Sequence, residues 1–228
     1  MHPFVSLFRT QAAVGRTATQ TLLLAAASLG RDERPLLYRH VHPHGHATAR
    51  LARSFADAIG CAGSGAPTLD EIEVGAHLHD LGKYMIAESI LLKPGPLTAA
   101  ERAAVSLHPV HGAHLVSGLP AVTEAVRQAV LYHHERWDGD GYPDGLAGLR
   151  IPLAARIVAV ADVYTSLRAR RAYKPTLTRR DAASEMERMA GRELDPELTR
   201  DFLRWRRTSN TRKAPPGEIQ NERLRCKD

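Results

Sequence analysis

Eleven of the twelve histidines in this chain fall between His40 and His134. Histidine is the side chain that most often binds metals in proteins. Histidines and carboxylates recur here on predicted helical faces that are otherwise apolar, and a buried charge is costly unless it is paired or bound to a metal. The clustering therefore predicts a metal site, and any fold for this chain has to accommodate it.

The hydrophobic pattern between about residues 43 and 205 is helical, and no segment shows convincing strand alternation. An all-α fold is therefore predicted. Pro43 is expected to begin the first helix of this region. Leu51, Phe55 and Ile59 would form its apolar face, and Gly60 would end it.

Capping residues predict where further helices begin. Asp70 is a suitable N-cap for a helix that contains Ile72, and Thr98 and Glu101 have the spacing of a capping box. Additional helices are expected at 120–135, 152–164, 178–190 and 196–205.

Charge and composition limit the domain organisation and the possible partners. Residues 203–228 hold eight Lys or Arg against three acids, so most of the net charge of +6 lies in this segment. We expect an N-terminal helical segment at 1–39, one domain at 40–206 and a basic, disordered tail at 207–228. Specific nucleic-acid binding is not expected, because no aromatic residues are interleaved with the basic residues beyond Trp205.

Two further features bear on the compartment. No run of about 18 apolar residues is present, so no membrane span is predicted. Cys61 and Cys226 lie far apart, which excludes a disulfide framework and fits a reducing cytosol. We therefore expect a cytoplasmic protein.

The segment around His79, Asp80 and Lys83 is the first candidate site. On a helix these residues share a face with Ile72 and Ala76, which is otherwise apolar and small. A metal could be held by the adjacent His79 and Asp80, with Lys83 one turn further on touching an anionic substrate. The alternative is a buried hydrogen-bonded His-Asp-Lys network without a metal.

Other candidate ligands are Asp162, which projects from a second apolar helix, His108 before a proline, and the pair His133 and His134 at a predicted helix end. Mixed histidine and carboxylate ligands suit Fe, Mn, Zn or Ni better than Mg or Ca. Two such metals about 3.5–4 Å apart can clamp a phosphodiester and generate the attacking hydroxide. For Asp162 alone, a helix N-cap or a salt bridge to an arginine is the alternative.

Several motifs follow one another over roughly residues 40–203 in the order of a known family. They are His79-Asp80-x-Gly82-Lys83, Ile90-Leu91-x-Lys93-Pro94-Gly95-x-Leu97-Thr98, His108-Pro109-x-x-Gly112, His133-His134-Glu135-Arg136-Trp137-Asp138-Gly139-x-Gly141-Tyr142-Pro143-Asp144-Gly145, Ile151-Pro152-Leu153-x-Ala155-Arg156-Ile157 and Val160-Ala161-Asp162. In this combination the chain resembles the HD-GYP domains, which are metal-dependent cyclic di-GMP phosphodiesterases of the HD superfamily. The resemblance implies a helical HD-superfamily bundle extended by the GYP loop and C-terminal helices.

The resemblance also implies a centre of two divalent transition metals, with Fe or Mn expected. One metal would be held by a histidine of the preceding helix together with His79, Asp80 and Asp162. The second would be held by Asp80, as a bridge, and by His108, His133 and His134. The preceding histidine is His44 by the family spacing and by its helical face, with His46 as the alternative. Many family members carry a glutamate for a third metal where this chain has His40, so a binuclear centre is expected.

Substrate contacts follow from the same resemblance. Asp80 and Lys83 are the expected catalytic residues, and Lys83 would touch the phosphate. Tyr142 would lie near a guanine, and Arg171 and Lys174 match basic positions that hold the ligand's phosphates. The implied reaction is attack of a metal-bound hydroxide on a phosphodiester of cyclic di-GMP, which yields pGpG, GMP or both.

The chain departs from the family pattern after Asp162, where Thr165-Ser166-Leu167 replaces the usual Asp-Ala-Leu and further changes run to Ala172. These changes favour an alternative function. In it, a weakly active or inactive HD-GYP module acts by binding cyclic di-GMP or a signalling protein, such as a GGDEF-type partner. A second alternative is an HD-type phosphohydrolase for another nucleotide, against which Gly141-Tyr142-Pro143 argues.

Overall fold

The computed structural model describes residues 34–61, 65–117, 119, 122–169 and 176–211. Within them the chain forms α-helices, two short 3-10 helices and no β-strand, which confirms the predicted all-α class. The α-helices are α1 (Pro35–Ala58), α2 (Leu69–Leu78), α3 (Glu88–Leu91), α4 (Ala99–Val105), α5 (His108–Ser117), α6 (Glu124–Tyr132), α7 (Leu153–Arg168), α8 (Arg179–Met189) and α9 (Pro196–Thr211). The 3-10 helices span Leu81–Met85 and Gly148–Arg150.

Helix α1 begins at Pro35, so the predicted start at Pro43 is wrong. Proline is favoured at the first position of a helix, where its missing N–H costs nothing, and Pro35 takes this position. Pro43 lies exposed inside the helix, where it cannot donate to the carbonyl four residues earlier. One consequence is that His40 and His44 lie on the same helix. Another is that the predicted boundary between residues 39 and 40 falls inside α1.

Side-chain caps begin most of the helices that surround the core. Helix α2 begins two residues earlier than expected, because Thr68 and not Asp70 is its N-cap and forms a capping box with Glu71. The predicted capping box of Thr98 and Glu101 is confirmed at α4. Each box satisfies backbone N–H groups that a helix start leaves without partners.

Two hydrophobic clusters hold the helices together. The larger joins α1, α2, α7, α8 and α9 through side chains such as Phe55, Ile72, Ile157, Met186 and Phe202. The smaller joins α2, the first 3-10 helix, α5 and α6 through Leu78, Leu81, Val116 and Val130, among others. Because α2 contributes to both clusters, packing on two sides fixes the position of its C-terminal end, where His79 and Asp80 follow.

Helix α9 continues to Thr211, so residues 207–211 belong to this helix and not to the predicted tail. Asp195 stabilises its start. One carboxylate oxygen of Asp195 accepts hydrogen bonds from the N–H groups of Glu197 and Leu198, and the other lies 2.7 Å from Arg156 Nη1.

Residues 1–33 and 212–228 lie outside the described residues. Among the helices described, none is both long and apolar enough to cross a bilayer.

We predict that Gly82→Ala destabilises the fold strongly. Gly82 follows Asp80 closely, and a methyl group at this position would lie 1.9 Å from the carbonyl oxygen of His108 and 2.5 Å from the amide nitrogen of Gly112. The backbone of α5 would have to move, so we expect a loss of about 3 kcal/mol or more in the free energy of unfolding. Denaturant unfolding followed by circular dichroism measures it.

The matched control is Gly148→Ala. Gly148 has φ +58°, and nothing lies within 4 Å of a Cβ placed there. Only the backbone conformation then opposes alanine, at a cost of about 1–2 kcal/mol. Equal losses in the two variants would contradict the close approach at Gly82.

Candidate metal centre

Three buried histidines are oriented in the same way. Nδ1 of His79, His108 and His133 each lies 2.7–2.8 Å from the backbone carbonyl three residues earlier. A carbonyl only accepts, so Nδ1 carries the proton and Nε2 of each neutral ring keeps its lone pair. Burial lowers the pKa of His108 to about 4 and that of His133 well below its usual value. The rings of His108 and His133 are therefore neutral at pH 7.

The Nε2 atoms point at one another. His108 Nε2 and His133 Nε2 are 3.2 Å apart, although neither carries a proton to share. His79 Nε2 is buried and has no hydrogen-bond partner among the described residues. A buried polar atom without a partner calls for an explanation, and a cation between the rings supplies it.

Asp80 lies among these rings and is 3% exposed. Its Oδ1 is 3.3 Å from His108 Nε2, and its Oδ2 is 3.5 Å from His79 Nε2. Lys83 Nζ lies 2.6 Å from Oδ2. Burial raises the pKa of Asp80, but Lys83 and the imidazoles outweigh it and hold this pKa well below its usual value. Asp80 is thus a carboxylate with one oxygen facing each of two histidines.

His44 and Asp162 form the outer part of the site. His44 Nε2 lies 2.7 Å from Asp162 Oδ1, and His79 Nε2 lies 3.7 Å from the same oxygen. Burial opposes the charge of Asp162, yet the hydrogen bond from His44 lowers its pKa to about 2. Ser166 Oγ also reaches Asp162 Oδ1, at 3.4 Å. Helix α1 therefore brings His44 to the carboxylate that α7 carries.

All seven predicted ligands meet in three overlapping groups. In each group the candidate ligand atoms lie within 4.8 Å of one another, and the groups are His44, His79 and Asp162; His79, Asp80 and His133; and His108, His133 and His134. Imidazole nitrogens and carboxylate oxygens in this mixture suit divalent transition metals. The donor set and the unpartnered nitrogen of His79 therefore fit one or more metal ions.

His46 takes no part in this cluster. It is exposed, and its ring lies 5.9 Å from that of His77, which also contacts the ring of His42 at 5.4 Å. Between the two alternatives for α1, the structure brings His44 to Asp162 and turns His46 away. The side chain of His40 lies outside the described residues.

The loop after α6 presents Tyr142 to the cluster. The ring of Tyr142 stacks on that of His134, with the ring centroids 5.0 Å apart and an angle of 29° between the ring planes. The backbone N–H of Tyr142 donates to the backbone carbonyl of His134. The Tyr142–Pro143 peptide is cis. A Cβ at Gly141 would lie 2.3 Å from the amide nitrogen of Arg136, so only glycine fits there. Of the predicted substrate contacts, Lys83 and Tyr142 reach the site, whereas Arg171 and Lys174 lie outside the described residues.

Glu135 is a residue of this site to which sequence reasoning assigned no role. It is 4% exposed, and its two carboxylate oxygens accept the N–H groups of Asp144 and Leu146 at 2.8 and 3.0 Å. These hydrogen bonds close the loop behind Tyr142. The sequence does contain a signal for this role: Glu135 follows His134 and precedes a glycine-rich segment, and the backbone N–H groups of such a segment need hydrogen-bond acceptors.

We predict that Glu135→Gln loosens this loop. A glutamine amide has one acceptor oxygen, so one of the two loop N–H groups would face its NH2 group. Faster hydrogen exchange at Asp144 or Leu146 and a loss of about 1–3 kcal/mol in unfolding free energy are expected. Glu124→Gln, at an exposed ion pair with Arg127, is the control and should leave both quantities almost unchanged. Unchanged exchange in Glu135→Gln would contradict the assignment.

Comparison with known proteins agrees with this geometry. A family model described as "HD domain" matches residues 31–198. The chain is 47% identical over 136 residues to the cyclic di-GMP phosphodiesterase response regulator RpfG of Xanthomonas campestris, covering 59% of this chain and 36% of that protein. It is 36% identical over 168 residues to a cyclic di-GMP phosphodiesterase of Thermotoga maritima, covering 73% and 44%.

The fold has a similar counterpart among solved structures. Bd1817, an HDG"Y"P protein of Bdellovibrio bacteriovorus, superposes with a TM-score of 0.62 at 15% identity, over 90% of this chain and 68% of that one. The chain spans less than half the length of the two curated relatives. The match over residues 31–198 shows that the chain belongs to the HD domain family, and its ordered motifs are those of the HD-GYP proteins.

Proposed function

We propose that this chain hydrolyses a phosphodiester of cyclic di-GMP, to pGpG, GMP or both. The observation that carries the proposal is the convergence of seven histidine and aspartate side chains beside a cationic Lys83. The two curated relatives are named cyclic di-GMP phosphodiesterases, which supports the choice of substrate. We also propose that the protein acts in the cytoplasm.

The proposed centre holds two divalent transition metals, with Fe or Mn the expected ions. His44, His79 and Asp162 would hold one, and His108, His133 and His134 the other, with Asp80 between them. Bound metals of this kind polarise a phosphodiester and activate water. The third metal of some family members is not proposed, because His40 replaces the glutamate.

The chain's own residues would bind and orient the substrate. Lys83, with its ammonium group beside Asp80, would also contact a phosphate oxygen. Tyr142, held against His134 by the loop that Glu135 closes, would contact a guanine. His108 and His133, which are neutral at pH 7, and the ionised Asp80 can take up a cation without losing a proton. Burial opposes the charged form of His44, but Asp162 outweighs it and raises the pKa of His44, so a metal bound there would displace a proton.

A metal-content measurement tests the ligand assignment. Anaerobically purified protein should contain two metals per chain, and His44→Ala should lose about one of them, because it removes a donor from the group with His79 and Asp162. His46→Ala is the matched control and should retain both metals. Loss in His46→Ala, or full retention in His44→Ala, would contradict the assignment.

A turnover assay with added Fe(II) or Mn(II) tests the reaction. Asp80→Asn keeps the size of the side chain but removes its charge, so hydrolysis of cyclic di-GMP should fall at least about 100-fold. Asp57→Asn, at an exposed position of α1, should match the unaltered protein. The proposal fails if metal-loaded protein leaves cyclic di-GMP intact.

One observation bears on the alternative function, that of a binding module. Thr165 and Ser166 line the cavity at the metal centre, where the family usually has an aspartate and an alanine. Two bound metals without turnover, together with calorimetric binding of cyclic di-GMP, would favour this alternative. A GGDEF-type signalling partner then becomes the next candidate to test by co-purification with the full chain.

A further inference from the structure

The cavity at the metal centre extends well beyond the metal-binding side chains. It has a volume of about 1490 Å³ and runs along α1 and α7 to the C-terminal helix α9. His44 and Asp80 line one part of it, and Trp205 and Arg206 line another. Both α9 residues lie beyond residue 198, where the family match ends, so the match assigns them no role.

The charge of the cavity wall is strongly positive. Among the residues that the structure describes, its lining includes one acidic side chain, Asp80, against six cationic ones, which are Arg39, Arg50, Lys83, Lys93, Arg168 and Arg206. Lys83 is paired with Asp80 and Lys93 with Glu101, whereas Arg168 donates to a backbone carbonyl. Within the described part of the chain, Arg39, Arg50 and Arg206 have no carboxylate partner. A polyanion therefore fits this cavity better than a neutral ligand.

Arg206 is held in a defined position. Its guanidinium lies over the rings of Tyr164 and Trp205, at 5.3 and 5.4 Å from their centroids. Tyr164 is buried on α7, and Trp205 packs on Phe55 and Phe202. The Nε atom of Arg206 is buried and has no hydrogen-bond partner among the described residues. A guanidinium is planar and presents its donors in a geometry that matches the oxygens of a phosphate. Stacking on the two rings fixes its orientation.

Arg50 on α1 also lines the cavity, as His44 does. The two are six positions apart on α1, which corresponds to about 9 Å along the helix axis. Leu51 and Ser54 continue the cavity wall in the same direction. Arg50 is thus separated from His44 by about 9 Å along α1, and Arg206 lies on α9, which carries none of the seven candidate ligands.

We infer that Arg206, together with Arg50, binds the second phosphate of the cyclic dinucleotide while the first lies at the metal centre. This inference rests on the proposed function and adds the contact that would distinguish a dinucleotide from a simple phosphodiester. It assigns Arg206 to substrate binding and not to the reaction step. Removing Arg206 should therefore raise KM for substrates with two phosphates and leave kcat nearly unchanged.

The test compares Arg206→Ala with Arg204→Ala on two substrates. Arg204 lies on the same helix, has a side chain that is 51% exposed and pairs with Asp201, so it serves as the matched control. The substrates are cyclic di-GMP and bis(p-nitrophenyl) phosphate, which has a single phosphate. For Arg206→Ala we expect about a tenfold rise in KM for cyclic di-GMP and unchanged kcat/KM for the small diester. Arg204→Ala should match the unaltered protein on both.

A second variant separates binding from folding. Arg206→Lys keeps the positive charge but loses the planar donors, so its KM should fall between those of the unaltered protein and Arg206→Ala. An unchanged KM for cyclic di-GMP in Arg206→Ala would overturn the inference. So would an equal loss on both substrates, since that result indicates damage to the whole site.

Calorimetry distinguishes failure of this inference from failure of the proposed reaction. If the protein binds cyclic di-GMP without hydrolysing it, the reaction is wrong, but Arg206→Ala should still weaken binding about tenfold. Equal affinities of Arg206→Ala and the unaltered protein would overturn the inference even if hydrolysis is intact. Absence of binding to the unaltered protein would overturn both.

Discussion

A single buried carboxylate, Asp80, organises the polar centre of this fold. It is almost inaccessible to solvent, and an isolated charge in that position would be strongly destabilising. Lys83 supplies one opposite charge at 2.6 Å, while imidazole nitrogens face both carboxylate oxygens. Because the rings of His108 and His133 are neutral, they offer lone pairs and not charges, and a cation between them and Asp80 would balance the remaining charge of the carboxylate.

The surrounding fold keeps these groups close together. Packing from two hydrophobic clusters fixes the end of α2, and the close approach of Gly82 to α5 brings Asp80 beside His108. The loop after α6 turns back on His134 because the carboxylate of Glu135 accepts two of its N–H groups. The same architecture leaves a wide basic cavity beside the centre, which suits a substrate with more than one phosphate.

Much of this arrangement could be predicted from the sequence, because helical periodicity determines which side chains share a face. Helical periodicity and the spacing of the resembled family together favoured His44 over His46, and the structure places His44 Nε2 at the carboxylate of Asp162. The predicted helix starts were wrong where two nearby residues could each begin the same helix. Helix α1 begins at Pro35 and not at Pro43, and the N-cap of α2 is Thr68 and not Asp70. The roles of Glu135 and Arg206 depend on loop closure and on contacts between distant helices, which periodicity does not encode.

Anomalous X-ray diffraction at the metal absorption edge, from crystals of metal-loaded protein, tests the central claim most directly. The account predicts two peaks about 3.5–4 Å apart, one on each side of the Asp80 carboxylate. One peak should lie near His44 and Asp162, and the other near His108 and His134. A single peak, or peaks away from Asp80, would contradict a paired centre organised by that carboxylate.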